Sequence, residues 1–204
     1  MEAVEYLFVD HFLSACVAAL YFLFGAVAVL PMMRFNREGC RQAAEWILRA
    51  LARLFGPKPG LLRIAFTIFL YNGAVMFLYM SLGVHPLLPK LVAVLTGFVL
   101  ALCFSLPQEA QGLLGFSSVG PSDWVPAPRL AILCGAATVL IELPCFFYSI
   151  AMGITLGQDL IGGNPGYLSG LITRAEVYLI VVLPLLLLSA VCETVAIRGS
   201  ARAV

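Results

Sequence analysis

The chain has 204 residues, of which 62% are hydrophobic and only 11% charged, with a formal net charge of +1. A soluble domain of this length carries about twice that share of charge, so an ordinary water-soluble fold is excluded and an all-α, polytopic transmembrane helical bundle is predicted. The near-neutral balance argues against a nucleic-acid partner, and six cysteines scattered singly, without CxxC or Cys/His spacing, point to no disulfide framework, metal or cofactor.

Residues 1–204 read as a single integral membrane domain. The first ten residues hold Glu2, Glu5 and Asp10 and no Lys or Arg, which predicts a short acidic amphipathic lead and not the basic start of a cleaved signal peptide. A first span follows near residues 11–33, closed by Pro31, with Ala15, Ala18, Ala19 and Gly25 offering small surfaces for helix contact. The character then changes. Arg37, Arg41, Glu45, Arg49 and Arg53 recur every four residues, while Cys40, Ala44, Ile47, Leu48, Leu51 and Phe55 share the other side. That pattern predicts an amphipathic helix over 36–55, lying on the membrane surface or against the base of the bundle, with Trp46 at the headgroup level. Its Arg37, Arg41, Arg49 and Arg53 suit the anionic headgroups of membrane lipids, or alternatively a cytoplasmic partner. Gly56-Pro57-Lys58-Pro59-Gly60 ends it and turns the chain back.

A second span near 61–83 carries Asn72-Gly73 at its centre. An asparagine in hydrocarbon needs a hydrogen-bond partner, and Asn72 with Gly73 suits close packing between helices, or alternatively a contact with Glu142. His85, Pro86 and Pro89 make a tight turn into a third span near 88–106. Residues 107–128 then mix Glu109, Gly112, Gly115, Gly120, Pro121 and Pro126 with an apolar middle too short to cross, which fits a surface loop or a re-entrant one.

The fourth span, near 129–157, organises the rest. It is long enough to cross a bilayer yet holds Glu142 and Pro144 near its middle. A carboxylate there is costly unless protonated, paired or turned to a polar interior, and is therefore a functional-site hypothesis by default. Ala131, Gly135, Thr138, Glu142, Cys145, Ser149 and then Met152 or Gly153 fall on one helical stripe, so this small and polar face should turn toward protein. Pro144 withholds a hydrogen bond from the Leu140 carbonyl, which predicts a kink or local unwinding beside Glu142. Asn72, Thr138, Glu142, Pro144 and Ser149 together form the buried polar candidate for an ion or proton; structural packing is the competing use of the same residues.

Between 158 and 173, Gly162, Gly163, Pro165, Gly166 and Gly170 argue against a long element. The fifth span runs near 175–197, with a kink expected at Pro184 and an ion pair of Glu193 with Arg198 at the membrane edge, where Glu109 is also expected. Residues 34–63 hold seven of the twelve Lys and Arg residues, which predicts a cell-membrane protein with that segment cytoplasmic. Five spans then put the N-terminus outside and the C-terminus, with Arg198 and Arg202, in the cytoplasm.

Phe69-Leu70-Tyr71-Asn72, then Leu140-Ile141-Glu142-Leu143-Pro144 with Gly153, Leu156 and Gly157 behind it, and the late span with Glu193 resemble the stage II sporulation protein M (SpoIIM-like) family of integral membrane proteins. Many members carry a His-Gly pair where Thr138 and Val139 stand here. The resemblance implies the fold and, in sporulating bacteria, association with envelope-remodelling partners. Two functions follow as expectations: a permease-like or transport-associated subunit built around Glu142, or a non-catalytic scaffold organising partner proteins. A homo-oligomer or another membrane-protein partner is expected, and no enzyme, since no Ser/His, HExxH or paired-Asp arrangement occurs.

Overall fold

The computed structural model describes residues 9–55, 60–105, 128–163 and 166–200, and every regular element among them is helical. The elements are α1 (Phe12–Phe35), α2 (Arg37–Phe55), α3 (Leu61–Ser81), α4 (Leu87–Phe104), α5 (Pro128–Ile161), α6 (Tyr167–Val177), a π-helical turn (Tyr178–Val182) and α7 (Leu183–Ser200). Five helices are long and apolar enough to cross a membrane, with α6, the π turn and α7 joining into the fifth. The protein is a multi-pass helical bundle of the expected class. The expected surface or re-entrant loop, with Glu109, and the acidic lead before residue 9 lie outside the described residues.

Close approach of backbones sets the architecture. Where α1 crosses α4, a Cβ added to Gly25 would run into the Val94 carbonyl, and one added to Gly97 into the Phe22 carbonyl. Without side chains at these two positions the helices pack backbone to backbone, which substitutes for the hydrophobic drive that lipid does not supply. Phe22 then carries α1 onto α5, its ring meeting those of Phe146 and Phe147 edge-on at 5.7 and 5.6 Å. On the other side of the bundle α3 packs against both α5 and the fifth span, sharing a core of Met76, Met80, Cys145, Ile150, Tyr178 and Leu186.

Three boundaries differ from the expectation for reasons that are local. Pro31 does not close the first span, because the helix loses only one hydrogen bond there and continues to Phe35. The break falls at Asn36, whose side chain accepts from the Gly39 amide at 2.9 Å and so caps α2. The glycine-rich stretch 158–173 is mostly helical: α5 runs on to Ile161 and α6 begins at Tyr167, so the fifth span starts well before 175. Gly163, at φ +77°, makes the reversal, whereas Gly170 lies within α6, where a Cβ would come within 2.7 Å of the Leu156 side chain. Last, α5 stays α-helical through Pro144, and the unwinding occurs instead in the π turn that precedes Pro184. A proline cannot serve the carbonyl four residues back, and a wider turn accommodates that loss.

The two ends of the bundle are chemically distinct. His11, the turn 82–86 and the start of α6 share one end, while α2, the start of α3 and the end of α7 share the other, where Phe55 and Ile197 pack around Ile64, Ile68 and Ala190.

Candidate functional site

The predicted stripe on α5 faces inward. Ala131, Thr138, Cys145, Ser149, Met152 and Gly153 are buried, with Gly135 and Glu142 half-buried. Glu142 lies far from both ends of its helix, with at least about 20 Å of α-helix on either side. Its Oε1 accepts two hydrogen bonds, from Asn72 Nδ2 of α3 at 2.8 Å and from Ser189 Oγ of α7 at 2.9 Å. Three spans therefore meet on a single carboxylate oxygen. The predicted Asn72–Glu142 meeting is present; Ser189 is a member that sequence reasoning missed.

The remaining predicted members divide. Thr138 and Ser149 are buried on the same face as Glu142, but their hydroxyls donate to their own helix, to the Cys134 carbonyl at 3.0 Å and the Cys145 carbonyl at 2.7 Å. Such back-bonding satisfies a hydroxyl where no water is at hand. Pro144 is exposed on the outer side of α5 and lines nothing. Beside Asn72, the buried Tyr178 of the π turn donates to the Gly73 carbonyl at 2.6 Å, so α3 is tied directly to the fifth span as well as to α5.

Glu193 belongs to this centre more than to a surface. It follows Ser189 by one helical turn, so it stays on the same side of α7. The antiparallel register is given twice, by Ser189 against Glu142 and by Gly135 against Ala196, where a Cβ on the glycine would sit 3.7 Å from the alanine's. That register sets Thr138 of α5 opposite Glu193. Arg198, expected in an exposed pair with Glu193, is itself buried, and neither Glu142 nor Glu193 forms an ion pair among the described residues.

A second buried polar cluster lies at the opposite end. Arg174, only 5% exposed, binds Asp159 Oδ2 at 2.6 Å, Thr155 Oγ1 at 3.3 Å and the Gly170 carbonyl at 3.1 Å. Thr155 in turn shares a 3.1 Å hydrogen bond with Nδ1 of the buried His11, which fastens the start of α1 to the end of α5. Arg174 is the cation of this group, its Nε buried without a hydrogen-bond partner among the described residues.

Among the described residues no group of three or more His, Cys, Asp or Glu side chains could hold a metal ion. On α2, Arg41 pairs with Glu38 and Glu45 and Arg49 with Glu45, whereas Arg37, Arg53 and Trp46 are exposed. Hydrogen bonds from Arg41 first, and then Gln42, hold the Glu38 carboxyl below its ordinary range. Comparison with protein-family models, with curated proteins and with solved structures finds no match to this chain.

Proposed function

We propose that the protein is a transport-associated membrane subunit in which Glu142 holds an exchangeable proton at the middle of the bundle. The observation that carries this reading is the pair of hydrogen bonds converging on Oε1, with no cation paired to the carboxyl among the described residues. Asn72 and Ser189 both point hydrogens at that oxygen. A metal cation there would need lone pairs from its neighbours, so the donor set argues against a metal ion and leaves a proton as the cation the carboxyl would take. Two donors on Oε1 leave Oε2 to carry it. Glu193, one turn along α7, is the nearest further carboxyl through which a proton could pass toward the α2 end.

The same end carries most of the basic residues, which supports the orientation with α2 and the C-terminus in the cytoplasm and the N-terminus outside. The resemblance to the stage II sporulation protein M family belongs to this proposal too. Its support is that two of the resembling positions, Asn72 and Glu142, work as one bonded unit.

The test is proton entry into dye-loaded proteoliposomes under a potassium-valinomycin potential. Replacing Glu142 by Gln keeps shape and hydrogen bonding but removes titration. The E142Q protein should fold normally and lose the pH-dependent part of the flux. A scaffold that organises partner proteins is the second reading, favoured by the way one carboxylate oxygen ties α3, α5 and α7 together; a wild-type flux from E142Q would select it.

A further inference from the structure

We infer that α2 is an interfacial helix with three working sides, and that its outward apolar strip, Ala43, Trp46, Ala50 and Leu54, seats in the headgroup layer of an anionic lipid surface. The first side is taken by the bundle. Cys40, Ala44 and Leu48 are buried against Val29 of α1 and Leu102 of α4, with Met33 and Phe98 beside them. Those partners belong to the final turns of two membrane-spanning helices, the level at which apolar chain meets headgroups. The helix is thus held at the depth where a surface helix operates.

The second side is a chain of charges. Glu38, Arg41, Glu45 and Arg49 are linked by ion pairs of 2.7, 2.8 and 2.8 Å. Paired in this way, Arg41 and Arg49 have little charge left to offer a lipid, contrary to their equal standing with Arg37 and Arg53 in the sequence pattern.

The third side adjoins the first. Ala43, Trp46, Ala50 and Leu54 repeat at intervals of three and four, and Trp46 is 70% exposed. With only two large side chains the strip is too narrow for the packed core of a protein interface, but it suits the shallow burial of an amphipathic helix with a tryptophan at the headgroup level. Charge selects the lipid. Arg34, Arg37, Arg53 and Arg63 are exposed at this end and form no ion pair among the described residues, so the surface around the strip is positive after Glu38 and Glu45 are used. An anionic headgroup such as phosphatidylglycerol meets both demands. This surface is independent of the Glu142 reading.

The experiment uses the full-length chain in lipid nanodiscs, with Trp124→Phe leaving Trp46 as the sole tryptophan. Lipids brominated near the headgroup end of the acyl chain should quench Trp46 at least about twofold, as expected for a shallow interfacial ring. Quenching should be stronger with brominated phosphatidylglycerol than with brominated phosphatidylcholine in a mixed disc. That preference should shrink as added salt screens the charges. Replacing Arg34, Arg37, Arg53 and Arg63 by Gln should remove the preference, whereas Gln at Glu38, Arg41, Glu45 and Arg49 together, which removes two charges of each sign, should leave most of it. Three results would overturn the inference. Trp46 quenched by aqueous iodide and not by bromolipid would mean a water-facing surface for a soluble partner. Shielding from both quenchers, dependent on two protein copies per disc, would mean a second copy of this chain. Equal quenching by the two lipids at low salt would remove the anionic preference.

Discussion

Two buried polar clusters share the same pair of helical columns, and they solve the cost of burial in opposite ways. At the N-terminal end Arg174 sits against Asp159, Thr155 and the Gly170 carbonyl, so the charge that burial would penalise is answered within the protein. At the centre the hydrogen-bond partners of Glu142 among the described residues are the neutral groups Asn72 and Ser189. The ion pair supplies its own counter-charge. A carboxyl held by neutral donors has no counter-charge among the described residues, and under the proposed function it is the group that holds an exchangeable proton. The difference separates a clasp from a site.

Opening the clasp should have the largest effect on stability. Asp159→Asn leaves the Arg174 guanidinium buried without its counter-charge, and should cost on the order of 2–4 kcal/mol, below the full cost of breaking a buried pair because Asp159 is partly exposed. Thermal unfolding in mild detergent would measure it. A loss under about 0.5 kcal/mol would erase the contrast between the clusters.

Next is Glu142→Leu, which strands the Asn72 amide and the Ser189 hydroxyl. The expected destabilisation is about 1–3 kcal/mol, set by the desolvation of two unpaired donors. Glu142→Gln should stay within about 1 kcal/mol of wild type, since the amide oxygen can still accept from both. Equal losses from the two variants would mean that the charge, more than the hydrogen bonds, holds the three helices.

Ser189→Ala removes one of two donors to the same oxygen and should cost roughly 0.6 kcal/mol, the size of an average interhelical hydrogen bond in a membrane. Combined with Asn72→Ala in a double-mutant cycle, it should show coupling, because the two donors share one acceptor. Strict additivity would argue that they do not act on Glu142 together.

The smallest effect concerns pH at the surface helix. Glu38 has a folded-state value held below its ordinary one by Arg41 and Gln42, so the contribution of this pair is present above the ordinary carboxylate range and is lost as pH falls through the lowered value. Protonation there frees Arg41. Attraction of α2 to anionic lipid should therefore increase slightly on acidification, in the opposite sense to the loss of the surface pair, and the bromolipid preference would report it.

Much of the central site was legible before any coordinates. The stripe through Thr138, Glu142, Cys145 and Ser149 follows from helical spacing alone, and an asparagine and a glutamate in otherwise apolar spans have few partners besides each other. Ser189 was harder to find, because a serine in a membrane helix can satisfy itself on its own backbone, as Ser149 and Thr138 do. Its signal was position: four residues before Glu193, on the same side of the helix. Glu193 and Arg198 read as an edge pair from their spacing, and only the register of α7 against α5 turns Glu193 toward Thr138. The glycine-rich stretch 158–173 was misread as lacking a long element. Glycine breaks helices in water, where the exposed backbone is solvated, but within α6 Gly170 makes room for Leu156 and its carbonyl receives the Arg174 guanidinium.

The central claim is that Glu142 exchanges a proton with the aqueous phase, and infrared difference spectroscopy tests it most directly. Full-length protein in lipid would be titrated with pH, and the carboxylic-acid C=O band of wild type compared with that of E142Q. The account predicts a carboxyl band in wild type that changes reversibly with bath pH and is missing from E142Q, with both proteins equally folded. Identical difference spectra from wild type and E142Q over the whole pH range would contradict it, and would leave Glu142 as a fixed hydrogen-bond acceptor joining α3, α5 and α7.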